Sequence, residues 1–181
     1  MSKKTDLRLA LIAARRALAP EVRAQWDAAI GARVLSWWND NPMRSMGIYW
    51  PVQGEPNLQP VYTELAARGV TLALPVVVAK HAPLKFSVWQ PGEPLMKDAH
   101  GVLIPAERRS HIDPESILVP CVGFNAAGYR LGYGAGYYDR TLAREPRPRT
   151  LGIAYSCGLA AFEAAPHDVA LDAIVTEDGG T

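Results

Sequence analysis

Residues 116–156 read SILVPCVGFNAAGYRLGYGAGYYDRTLAREPRPRTLGIAYS: an apolar run, a glycine-rich turn, a polar segment with helical character, and a second apolar run. Short β-branched runs bounded by Gly, Pro and Asn read as buried strands. A strand, a helix and a further strand in that order predict a βαβ unit in a largely parallel sheet. The helix is expected over about 137–144.

The same texture extends outward. MGIYW at 46–50, VTLALPVVV at 70–78, LKFSVW at 84–89 and LDAIVTE at 171–177 are further strand candidates, and a helix is expected over about 57–68. Toward the N-terminus the period changes. Leu7, Leu11, Ala14 and Leu18 recur at helical spacing behind Thr5 or Asp6 as a cap. Pro20 opens a second helix whose stripe is Val22, Trp26, Ile30, Val34 and Trp37, ended by NDNP at 39–42. No repeat or long linker divides the chain. The expected architecture is one three-layer α/β/α domain over 1–181, with a largely parallel sheet and an N-terminal helical hairpin.

Composition narrows the partners. Nineteen basic and eighteen acidic residues give a net charge of +1, which offers no global field for nucleic acid or an anionic membrane. The two cysteines, Cys121 and Cys157, lack metal-site spacing and suit a reducing compartment. Asp6, Arg8, Arg15 and Arg16 interrupt any apolar core of a signal peptide, although an Arg-rich amphipathic helix also suits a transit peptide. A soluble, cytoplasmic monomer with a small-molecule partner is the expectation.

The chemistry concentrates in GYRLGYGAGYYDR at 128–140, which holds four glycines, four tyrosines and three charges. Gly132, Gly134 and Gly136 let backbone N–H groups turn toward an anion, and Arg130 supplies a phosphate fork. The segment matches neither the P-loop nor the dinucleotide fingerprint, which needs glycine where Asp139 stands. A glycine-rich surface turn and a short RNA-binding segment, with tyrosines for stacking, are the competing readings. Asp139 reads either as a helix-dipole partner or, beside phosphate, as a carboxylate sharing Mg²⁺. Asp172 reads as a strand-end acid. His81, His111 and His167 lack ligand spacing and are assigned no chemistry.

KKTDLR at 3–8, YWPVQGE at 49–55, LKFSVWQPGEPLMKDAHG at 84–101, FNAAGYRLGYGAGYYDRTL at 124–142 and HDVALDAIVTE at 167–177 together resemble the 5-formyltetrahydrofolate cyclo-ligase family. The resemblance covers nearly the whole chain, and its most specific part runs from Arg130 to Asp139. It implies an ATP- and Mg²⁺-dependent conversion of 5-formyltetrahydrofolate to 5,10-methenyltetrahydrofolate, with ADP and phosphate released. A divergent folate- or nucleotide-binding relative with little turnover is the alternative. By the resemblance, Lys4, Arg8, Arg130 and Leu131, Gly132, Tyr133, Gly134, Ala135, Gly136, Tyr137 and Tyr138 hold ATP. Trp50, Glu55, Tyr133 and Tyr137 face folate, Arg130 and Tyr137 lie nearest the chemistry, and Asp139 and Asp172 are the metal-associated acids. Ala135, Asn125, Cys121, Leu58, His100 and Ile104 depart from the pattern; Ala135 fits the turn only with negative φ.

Overall fold

A computed structural model describes residues 3–99, 101–107 and 110–180. Helices α1 (Lys3–Arg16) and α2 (Pro20–Asp40) come first. Next come β1 (Ser45–Gly47), α3 (Gln59–Ala67), β2 (Thr71–Val76), β3 (Lys85–Val88), β4 (Leu95–Lys97), β5 (Leu103–Pro105) and β6 (His111–Ile112). The chain continues through β7 (Ser116–Pro120), β8 (Gly123–Phe124), β9 (Arg130–Leu131), α4 (Tyr137–Leu142), β10 (Arg149–Ile153) and β11 (Ala173–Val175).

Seven strands form the central sheet in the order β11-β10-β7-β1-β2-β3-β6. The pairs β11–β10, β10–β7, β7–β1 and β1–β2 are parallel, while β2–β3 and β3–β6 are antiparallel. The six apolar runs therefore supply six of the seven strands. The two-residue β6 was not legible, because His111-Ile112 carries no alternating pattern. The parallel strands are buried on both faces and so read as continuous apolar runs.

One core cluster joins Ile30 and Val34 of α2 and Val61, Tyr62 and Leu65 of α3 to Met46, Leu72, Leu74 and Leu118 of the sheet. The other joins Ala73, Phe86, Ile117 and Val119 to Leu142 of α4 and Ile174. Two faces of one sheet thus receive helices, as the α/β reading requires. Gly47 permits this packing, since a Cβ there would lie 2.7 Å from the Phe86 ring. α1 and α2 follow one another through a short turn, but they divide their partners. α2 packs on α3 and β11, whereas α1 packs against a 3-10 turn at Ser156–Gly158. α1 already starts at Lys3, ahead of the expected caps, and α4 ends at Leu142.

Candidate active site

A cavity of about 330 Å³ opens where β7 and β1 end, beside the glycine-rich loop. Its walls come from the start of α1, the segment after β1, the β4–β5 hairpin, the loop from β9 into α4, and the segment before β11. Ligands of parallel α/β sheets characteristically bind at such strand ends.

Cations gather at one end. Arg8 Nε donates to the Gly132 carbonyl at 2.7 Å, and Arg140 Nη1 donates to the Ala135 carbonyl at 2.8 Å. Gly123 brings α1 this close, since a Cβ there would meet Leu11 Cδ1 at 2.5 Å. Gly134 has φ +98° and Gly136 φ +69°, so both need the left-handed region. Ala135 has negative φ, which accommodates its methyl group. α4 has only six residues, which leaves it little helix dipole to offer an anion.

Arg130 is buried and pairs with Asp139 Oδ1 at 2.9 Å, with its guanidinium 5.7 Å from the Tyr138 ring centroid. Lys4 reaches Asp168 Oδ2 at 3.3 Å. Asp168 also accepts the Ala165 N–H at 2.7 Å. Burial pushes the Asp168 carboxyl upward, but the Ala165 amide and Lys4 together hold it below the ordinary carboxylate value. It is a stable anion inside the cavity wall.

At the other end Trp50 stands edge-on to Trp89, with ring centroids 5.8 Å apart. Glu55 closes the same segment. Gln53 (φ +51°) and Gly54 (φ +79°) turn the chain, and Glu55 Oε2 then accepts the Val52 N–H at 2.9 Å. Tyr62 holds this segment through the Tyr49 carbonyl, and Tyr49 through the Pro56 carbonyl. Glu55 Oε1 accepts the Tyr133 hydroxyl at 2.7 Å, and Arg15 Nη2 lies 4.0 Å away. Burial raises the Glu55 carboxyl above its ordinary value, against the pull of Tyr133, Val52 and Arg15.

Of the residues singled out in the sequence, Lys4, Arg8, Trp50, Glu55, Arg130, Leu131, Gly132, Tyr133, Gly134, Ala135, Gly136, Tyr137, Tyr138 and Asp139 all line this cavity. Asp172 stands apart from them. Its Oδ2 accepts the Thr150 N–H and hydroxyl at 2.7 and 2.9 Å, and Oδ1 faces Arg147 at 3.4 Å. It is outside the cavity lining and clamps β10 to the entry of β11. The acid of HDVALD that lines the cavity is Asp168, four residues earlier, accompanied by His167. The sequence contained both acids, and only their folded placement separates them.

The departures are also accounted for. Asn125 Oδ1 accepts from the Ala127 and Tyr129 amides and closes the β8–β9 turn, as an aspartate would. Leu58 is fully buried in the core. Ile104 is absent from the cavity lining, whereas Asp98, Val102 and Leu103 of the same hairpin belong to it. His100 lies outside the described residues. Burial pushes the Cys121 thiol up to about 12, so it is a neutral core group. No helix among the described residues is long and apolar enough to cross a membrane.

Comparison with known proteins gives a consistent result. The pattern described as the 5-formyltetrahydrofolate cyclo-ligase family matches residues 1–177. The 5-formyltetrahydrofolate cyclo-ligase of Mycoplasma pneumoniae is 29% identical, over 97% of this chain and 99% of the relative. That of Mycolicibacterium smegmatis is 30% identical, over 98% and 95%. Among solved structures, a 5,10-methenyltetrahydrofolate synthetase from Mycoplasma pneumoniae superimposes with a TM-score of 0.82 at 25% identity, covering 97% of this chain and 99% of that one. One from Aquifex aeolicus gives 0.84 at 29% identity, with 99% and 92% covered.

Proposed function

The chain belongs to the 5-formyltetrahydrofolate cyclo-ligase family, and from that premise we propose that its cavity converts 5-formyltetrahydrofolate to 5,10-methenyltetrahydrofolate at the expense of ATP. The observation that carries the reading is the polarity of the cavity. Two groups line it: Lys4, Arg8 and Arg130 with the glycine-rich loop form the cationic end, and Trp50 with Glu55, which meets that loop through Tyr133, forms the other. An anionic triphosphate suits the first end. A flat, N–H-bearing pterin suits the second, with an indole wall and a carboxylate acceptor.

In the proposed reaction the formyl oxygen takes the γ-phosphoryl group and ADP leaves. The N10 amine attacks the activated formyl carbon, loses its proton, and phosphate departs with the former formyl oxygen. Both steps occur between bound substrates, so alignment and charge stabilisation matter more than a protein nucleophile. Arg130 and Arg8 offset charge on the phosphoryl oxygens. Loop amides between Gly132 and Tyr138 orient the triphosphate, and Tyr137 borders the reacting centre. Trp50 and Glu55 fix the pterin so that the formyl oxygen faces the γ-phosphate.

Asp139 and Asp168 form the donor set for Mg²⁺. Both carboxylates line the cavity, each with a Lys or Arg partner, and both are partly solvent-accessible. Magnesium commonly uses one or two carboxylates with phosphate and water oxygens. Bound there, the ion would neutralise charge on the β- and γ-phosphates. Asp168 replaces Asp172 in this role.

The test is incubation with 5-formyltetrahydrofolate, ATP and Mg²⁺, following methenyltetrahydrofolate absorbance and ADP together. Equal amounts of both products support the reading. Tight folate binding with neither product identifies a binding relative without turnover.

A further inference from the structure

The glycine-rich loop is held down at three points. Arg8 bonds the Gly132 carbonyl, Arg140 bonds the Ala135 carbonyl, and the Tyr133 hydroxyl bonds Glu55 Oε1. Two of these ties, those to Arg8 and Glu55, use a cavity-lining group that one of the two substrates would need. A triphosphate competes with the Gly132 carbonyl for the Arg8 guanidinium, and a pterin N–H competes with Tyr133 for the carboxylate.

The Glu55 contact is the more restrictive. The Glu55 side chain is 1% exposed, whereas Tyr133, which covers its outward oxygen, is 41% exposed. Arg15 is donor-only and points Nη2 at the tyrosine oxygen at 2.5 Å, so the single hydroxyl proton is directed to Glu55. The hydroxyl therefore occupies the position of a ligand donor. When it leaves, Arg15 remains beside Glu55 and the carboxylate keeps a cation.

We propose that Tyr133 is a latch coupling the two substrates: folate displaces it from Glu55, the nucleotide loosens the same loop by capturing Arg8, and each substrate thereby assists the other. The inference rests on the folate and ATP assignments above and adds cooperativity between them. A shared closed state lowers the apparent affinity of both ligands, and whichever binds first removes part of that cost. Linkage makes the effect reciprocal.

Tyr133→Phe removes the hydroxyl and retains the ring at an exposed position, so the fold should tolerate it, and thermal unfolding verifies this. The full-length wild type and variant are titrated with 5-formyltetrahydrofolate, with and without a non-hydrolysable ATP analogue and Mg²⁺. In the wild type the analogue should tighten folate binding by roughly tenfold, and folate should tighten analogue binding by the same factor. In Tyr133→Phe, folate alone should bind roughly tenfold more tightly than to wild type, and the analogue should then change its affinity by less than about twofold. Equal or weaker folate binding by the variant overturns the latch, as does coupling that persists unchanged. If wild type binds folate and turns over without any coupling, the latch fails and the enzyme reading stands. If wild type binds no folate, the assignment beneath the latch fails with it.

Discussion

The two ends of the cavity are built differently. The cationic end is nearly contiguous: Arg130 through Asp139 supply the loop, a fork and a carboxylate, and Lys4 and Arg8 lie one helical turn apart on α1. The carboxylate end is assembled from distant segments. Glu55 receives its hydrogen bond from Tyr133 of that same loop, where the two ends meet, and Arg15 arrives from the far end of α1. Arg15 also donates to the Gln53 and Cys121 carbonyls, so one buried side chain ties three distant parts of the chain together. The difference suggests that damage to the cationic end should appear first in turnover, and damage to the carboxylate end in folate affinity and stability.

The largest effect is expected from Asp139→Asn. Loss of the carboxylate beside Arg130 should reduce kcat by roughly a hundredfold, as removal of one charge-positioning group typically does, with folate affinity little changed. Steady-state kinetics with a magnesium titration checks this; an unchanged kcat and metal dependence remove Asp139 from the site. At the other end, Arg15→Met should destabilise the fold by about 3 kcal/mol, because Glu55 is left buried without its cation. Urea unfolding measures the loss, and a change below about 0.5 kcal/mol, the range of ordinary surface substitutions, breaks the contrast.

Glu55→Gln should raise the folate KM by roughly tenfold or more through loss of charge-assisted hydrogen bonds, and leave the ATP KM alone. The pH dependence has a defined sign. Burial raises the Glu55 carboxyl, so the protonated form favours the folded state. Its stabilising contribution is fully present below the ordinary glutamate value of about 4.3 and declines as pH rises through the raised one. If folate uses the carboxylate as proposed, its affinity should increase across that same window. Glu55→Gln should flatten both profiles; identical wild-type and variant profiles would falsify the assignment.

The two C-terminal acids provide a sharper comparison. Asp168→Asn should lower kcat by roughly tenfold or more and shift the magnesium requirement. Asp172→Asn should leave kcat within about twofold and cost about 1 kcal/mol of stability through weakened Thr150 contacts. The reverse pattern would restore Asp172 to the site. The smallest effect belongs to the loop: Gly134→Ala should cost about 1–2 kcal/mol because of its positive φ, whereas Ala135→Gly should stay within about 1 kcal/mol.

Legibility in the sequence followed the same division. The apolar runs revealed six of seven sheet strands because the parallel strands are buried on both faces, and proline and glycine marked their ends. The loop from Arg130 to Asp139 was legible because its backbone requirements are written locally as glycines. Glu55 and Trp50 were reached only through family resemblance, since a loop glutamate and an apolar-run tryptophan carry no local signature. Arg15 carries no burial signal in the sequence, yet it is 3% exposed. Asp168 and Asp172 could not be separated along the chain, because the choice depends on which side of the entry to β11 each carboxylate occupies.

The central claim is that this cavity activates the formyl oxygen by phosphoryl transfer. It is tested most directly with 5-formyltetrahydrofolate carrying a heavy-oxygen label in its formyl group, turned over with ATP and analysed by mass spectrometry of the released phosphate. One labelled oxygen in each phosphate, with methenyltetrahydrofolate and ADP formed in equal amounts, is the predicted result. Methenyltetrahydrofolate formed while the phosphate stays unlabelled would contradict the account.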